Sequence, residues 1–114
     1  MDDNRARELL AAQRAEAESL LHSVERAGQE NRAAEDEQAA DYADSAQPLT
    51  EQGMDDALAE SLRARLAAID RAEQRLAAGT YGLSVQSGQP IPDARLEADP
   101  AAELTVEEAA ARSR

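Results

Sequence analysis

Apolar residues recur with a helical period over most of the first eighty positions. Leu10, Ala17 and Val24 lie seven apart, Leu20 and Ala27 form a second row, and Leu9 and Leu21 stand beside them. Residues 5 to about 36 contain no Pro and a single Gly, Gly28, so the pattern predicts one long amphipathic helix. Residues 55–78 repeat it, with Leu62, Ile69 and Leu76 seven apart and Leu58, Leu66 and Ala72 filling the seam. Between the two lies Gln47-Pro48-Leu49-Thr50-Glu51-Gln52-Gly53, where Pro48 disfavours helical geometry before it and Gly53 lowers helix propensity. A turn is expected here. Neither stripe is apolar enough to stand alone in water, and the short break lets the two helices fold into an antiparallel hairpin that buries both. Arms of roughly 30 residues would project about 45 Å at ~1.5 Å per residue.

The second helix is expected to stop at Ala77-Ala78-Gly79, with Gly79 in the usual position after a helix end. Residues 79–114 then hold three of the four Pro and three of the five Gly. Their larger apolar residues, Leu83, Val85, Ile91, Leu96, Leu104 and Val106, are too few for an independent core, so this segment must lean on the base of the hairpin. Thr105 followed three residues later by Glu108 is a capping-box pattern, and Ala109-Ala110-Ala111 continues it with good helix formers. A short C-terminal helix follows. The fold class is mainly α: a long antiparallel coiled-coil hairpin over 1–78 with a tip near 41–54, and a small module over 79–114.

Composition supports that class. Of 114 residues 27 are Ala, Phe, Trp and Cys are absent, and there are two Tyr, which rules out a thick core but suits long helices. The absence of Cys excludes disulfides and thiolate chemistry. No apolar run of spanning length occurs and the N-terminus lacks the features of a secretory signal, so a cytoplasmic protein with no membrane partner is expected.

The formal net charge is −12, and all 12 basic residues are Arg. A surface with this excess does not attract a nucleic-acid backbone or an anionic membrane, and it favours a basic partner surface. Over residues 30–60 ten acids face one base, Arg32, which places most of the net charge around the turn of the hairpin. An acidic run is often only a solvated segment. A hairpin tip, however, is the part of such a fold that can enter a narrow channel, and concentrating carboxylates there costs self-repulsion that a merely soluble hairpin could avoid.

Two stretches carry a family resemblance. Gly79-Thr80-Tyr81-Gly82-Leu83-Ser84-Val85-Gln86-Ser87-Gly88-Gln89-Pro90-Ile91-Pro92, followed by Arg95-Leu96-Glu97-Ala98-Asp99-Pro100-Ala101-Ala102, closely resembles the finger of the DksA/TraR zinc-finger family. Asp41-Tyr42-Ala43-Asp44-Ser45-Ala46, in the expected turn, is similar to the Asp-x-x-Asp-x-Ala pattern that DksA-like members carry at their coiled-coil tip. The resemblance implies a regulator of transcription that binds RNA polymerase by inserting the coiled coil through its secondary channel, as the Gre factors do, without sequence-specific DNA contact. It implies that Asp41, Asp44 and Ala46 form the partner-binding tip and modulate the active centre or promoter-complex stability.

The finger departs from the family at every ligand. Where the family has two Cys-x-x-Cys pairs, this chain has Ser84, Ser87, Thr105 and Glu108. Neutral hydroxyls are poor zinc ligands and one carboxylate cannot replace four donors, so no zinc and no other cofactor are expected. Hydrogen bonds at Ser84 and Ser87, the Thr105/Glu108 cap, and packing of Leu83, Ile91, Leu96, Leu104 and Val106 are expected instead. The alarmone response of some members depends on basic side chains around the finger; here Asp99 and Ala109 stand close to the positions of the second cysteine pair, Arg95 is kept, and no effector site is assigned.

His22 has no second ligand at metal spacing, and no nucleophile, triad or phosphate loop is present, so the chain is not expected to be an enzyme. A monomer is expected. Two other readings remain open: an acidic coiled-coil interaction module, dimeric through Leu10, Leu20, Leu62 and Ile69, and a Gre-like accessory factor for transcript cleavage.

Overall fold

Asp2 determines where the first helix begins. Its Oδ1 accepts the backbone N–H of Asn4 at 2.7 Å and of Arg5 at 3.2 Å, satisfying two of the donors that a helix start leaves open. The helix that follows, α1, spans Asp3–Asp41. It continues beyond residue 36 because Glu37-Gln38-Ala39-Ala40 are helix formers and no Gly or Pro intervenes before Pro48. The computed structural model describes residues 1–41 and 50–113, the side chains of 30–52 excepted.

The second helix, α2, spans Thr50–Ala78 and so starts before the expected position 55. Gly53, expected in the break, lies inside its first turns, where a Cβ would meet nothing within 4 Å. A single exposed Gly costs a helix about 1 kcal/mol, which a helix of this length tolerates. At the other end Gly79 adopts φ +77°, and the amides of Gly79 and Thr80 donate to the carbonyls of Leu76 and Arg75 at 3.3 and 2.9 Å. The left-handed conformation that ends α2 there is open to Gly at little cost.

Two compact units result, Met1–Ala15 with Leu66–Arg114 and, separately, Glu16–Arg65. In the first, Ala6 and Leu10 from the start of α1 join Ile69, Ala72 and Leu76 from the end of α2, so the two helices are antiparallel. Ala101 completes this cluster, and Ala68 and Tyr81 pack on it. The grouping cuts across position 78 because the C-terminal module shares its core with both helix ends. In the second unit Ala17, Gly28, Ala59 and Leu62 are buried, a seam of mostly small residues that lets two helices approach closely. Arg63 Nη2 meets Glu25 Oε2 there at 3.2 Å.

The seven-residue rows hold in part. Leu10, Ala17, Leu62, Ile69 and Leu76 are buried, whereas Leu20 and Leu58 remain 46% and 49% exposed and Ala27 is exposed. A pair of helices covers one narrow stripe on each, so a second apolar row has no neighbour to bury it. Leu10, Leu62 and Ile69, expected to build a dimer in one of the open readings, are already buried within the single chain.

Two short helices follow, α3 (Asp93–Ala98) and α4 (Val106–Arg112). The Pro92-Asp93 step starts α3, which the helical periodicity could not reveal over six residues. The short C-terminal helix expected from the capping box is α4.

Truncating Ile69 to Ala is expected to destabilise the protein by about 3 kcal/mol, since its side chain is completely buried. Leu20→Ala should stay within about 0.5 kcal/mol. Urea denaturation of the two variants beside the wild type measures the contrast.

Candidate functional site

After Gly79 the chain folds back on the helix ends through a compact loop. Leu83 pairs with Pro90 in a single antiparallel bridge, flanked by Ser84 N to Gln89 O at 2.8 Å and Ile91 N to Gly82 O at 2.7 Å. Gly88, at φ +74°, closes the loop by donating to Ser84 O at 2.9 Å. Ile91, Leu96 and Ala102 form the inner cluster of the module, with Tyr81 packed against it. The Tyr81 hydroxyl donates to Pro100 O at 2.8 Å, and burial raises its pKa.

Two arginine–carboxylate forks hold this module to the helices. Arg71 on α2 gives Nε and Nη2 to the two oxygens of Glu103 at 3.1 and 2.9 Å, and Arg75 approaches the same carboxylate at 3.5 Å. Arg5 on α1 makes an equivalent fork to Glu97 on α3 at 3.1 and 2.9 Å. Within the module, Arg95 Nε donates to Leu104 O at 2.9 Å. The hydrogen bonds from Arg71 hold the Glu103 carboxyl below its ordinary range, and those from Arg5 do the same for Glu97.

The four positions that carry thiols in the family meet in space. Ser84, only 5% exposed, donates its hydroxyl proton to Glu108 Oε1 at 2.6 Å and accepts the amides of Gln86 and Ser87 at 3.1 and 3.2 Å. Its one donor and both lone pairs are thereby used. The same Oε1 accepts the Thr105 amide at 2.9 Å, while Thr105 Oγ1 accepts the Glu108 amide at 3.2 Å, completing the capping box of α4. Ser87 Oγ accepts the Gln89 amide at 3.3 Å. The hydroxyls of Ser84 and Ser87 and the backbone and side chain of Thr105 bring the Glu108 carboxyl down to about 2.

This donor set does not fit a structural zinc ion. It offers three neutral hydroxyls and one carboxylate, where zinc takes thiolates and imidazoles, and the Ser84 oxygen has no lone pair left to give. Among the described residues no three His, Cys, Asp or Glu side chains gather as they would around a metal. The apolar part of the expectation needs correction. Ile91, Leu96 and Leu104 are buried, but Leu83 and Val106 are 39% and 53% exposed. Helix α4 has no buried residue at all, so its cap rather than apolar packing fastens it.

At the other candidate site, Asp41 is the last residue of α1. Its side chain, and Asp44 and Ala46 together with Tyr42, lie outside the described residues. His22 is exposed on α1. The Arg–Glu forks had no signal in the sequence, since pairs such as Arg5 and Glu97 are far apart in the chain and belong to no motif.

A helical hairpin whose base is capped by a small finger-like module defines an architecture found in transcription factors of known structure. DksA2 of Pseudomonas aeruginosa matches it with a TM-score of 0.76 at 24% identity, over 97% of this chain and 82% of that one. The chain is 38% identical over 73 residues to the RNA polymerase-binding transcription factor DksA of Caulobacter vibrioides, covering 64% of this chain and 51% of the relative. It is 42% identical over 65 residues to general stress protein 16O of Bacillus subtilis, covering 57% and 40%. No protein-family profile matches. Taken with the finger motif, these likenesses make the chain similar in sequence to DksA over part of its length and similar to DksA2 in fold, with no cysteine in it. It spans about half the length of the curated relatives it matches.

The Glu103 fork generates a pH dependence. Its folded pKa lies below the ordinary 4.5, so the stability it contributes is present above that value and is lost as pH falls through the lowered folded pKa. The gap in urea midpoint between wild type and Glu103→Gln at pH 7 should narrow progressively as the pH is lowered below 4.5. The cost of the substitution at pH 7 should be under about 1 kcal/mol, given partial solvent screening.

Proposed function

We propose that this chain is a non-enzymatic regulator of transcription that binds RNA polymerase through the secondary channel. The hairpin enters tip first, and Asp41, Asp44 and Ala46 act near the active centre or on promoter-complex stability. The module over 79–114 seats on the channel rim. The protein acts as a monomer, without sequence-specific contact to DNA.

One observation carries the reading: 73 residues of the chain are 38% identical to an RNA polymerase-binding factor, and 97% of it shares the fold of the transcription factor DksA2. Charge agrees with it. A net charge of −12 opposes docking on DNA and favours a basic protein channel. Asp41 and Asp44 stand three apart, a spacing that on a helical turn presents two carboxylates to one side, and Ala46 leaves room for close approach. Inside a channel such charges are screened less than in bulk water. Differential binding to two states of the polymerase would then shift their populations.

The test places wild type beside Asp41→Asn/Asp44→Asn on bacterial core RNA polymerase, with a multi-round transcription readout in the same reactions. Wild type is expected to bind and to change transcript yield; the variant should bind within a few-fold and lose that effect. Absence of binding by both proteins would refute polymerase as the partner. Stimulated cleavage in backtracked complexes would instead assign the accessory-factor role.

A further inference from the structure

At the four positions where the family carries thiols, the hydrogen bonds close on one another. Glu108 Oε1 receives the Ser84 hydroxyl at 2.6 Å and the Thr105 amide at 2.9 Å, and its own amide is taken by Thr105 Oγ1. Ser84 in turn gathers the amides of Gln86 and Ser87. The Ser84–Glu108 bond spans 24 residues, so a single carboxylate ties the loop after Gly82 to the start of α4. No residue of α4 is buried and Ala109 is its one half-buried apolar residue, so the helix has little apolar packing to substitute for the tie.

We propose that the Glu108 carboxylate is the metal-free staple of this finger: it performs the cross-linking that an ion performs in a cysteine finger, and the site accepts no divalent cation. An ion binds there only if it displaces donors that are already satisfied. Ser84 uses its proton and both lone pairs, and the carboxylate oxygen nearest it already accepts two hydrogen bonds. Removing those partners to seat a cation would strand the amides of Gln86, Ser87 and Thr105, and three neutral hydroxyls would not compensate. The staple also offers no thiol to an oxidant and no ion to a chelator. This inference stands apart from the polymerase reading and fails or survives without it.

The experiment uses the full chain purified from zinc-supplemented medium. Elemental analysis should find well under one zinc per chain, and Tm should be unchanged by excess EDTA or by added zinc. Hydrogen exchange then compares wild type, Glu108→Ala and Glu108→Gln. In Glu108→Ala the amides of Gln86, Ser87 and Thr105 should exchange about tenfold faster or more, while those of Leu10 and Ile69 hold. Glu108→Gln keeps an oxygen acceptor at the same place and should recover much of that protection. Joint replacement Ser84→Cys, Ser87→Cys, Thr105→Cys and Glu108→Cys should create a site that holds one zinc and makes Tm sensitive to EDTA. Stoichiometric zinc in the wild type, a fall in its Tm with chelator, unchanged exchange in Glu108→Ala, or no zinc in the four-cysteine variant would each overturn the proposal.

Discussion

Two helices can hide only one stripe each, and that constraint governs the whole architecture. Among the described residues of the unit Glu16–Arg65 the buried positions are Ala17, Gly28, Ala59 and Leu62, three of them small, so close approach rather than bulk fills this part of the seam. Larger apolar residues beside it, such as Leu20 and Leu58, stay half in water. Only where a third layer arrives does a thicker core form. The module provides that layer: Ala101 joins Ala6, Leu10, Ile69, Ala72 and Leu76, with Tyr81 packed against them, in the larger of the two buried clusters among the described residues.

A module that borrows its apolar core must be positioned by polar contacts, and here they divide into two sets. The Arg71–Glu103 and Arg5–Glu97 forks orient it on the helix ends, each by planar, bidentate geometry that a lysine could not reproduce. The Ser84–Glu108–Thr105 network closes it on itself. The second set depends on a saturated hydroxyl at a nearly buried site, where an unmet partner would be costly. Hydrogen bonds of this kind need no ion.

Much of this was legible in the residues. The seven-residue rows through Leu10, Leu62, Ile69 and Leu76 define which faces meet, because helical periodicity records burial directly. Thr105 and Glu108 announce the cap of α4 through local spacing. What local rules could not reveal depends on distant partners or on competition for a limited contact surface. The choice of Ala59 over Leu58 as the buried neighbour of Leu62 is set by backbone approach, which hydropathy ranks the wrong way. The exposure of Val106 follows from α4 resting on its cap, and the pairing of Arg5 with Glu97 from tertiary geometry alone. Asp41 and Asp44 were readable only as a pattern.

The finger-like module and the two helix ends share one buried cluster and should therefore open as one cooperative core. Native-state hydrogen exchange at the amides of Ile91, Leu96 and Ala102 in the module, beside those of Ile69 and Ala72 in α2, tests it directly. The account predicts a common opening free energy for both sets, falling together when Ala101, the module's residue in the shared cluster, is changed to Gly. Module amides that open independently, with the α2 amides indifferent to Ala101→Gly, would contradict it.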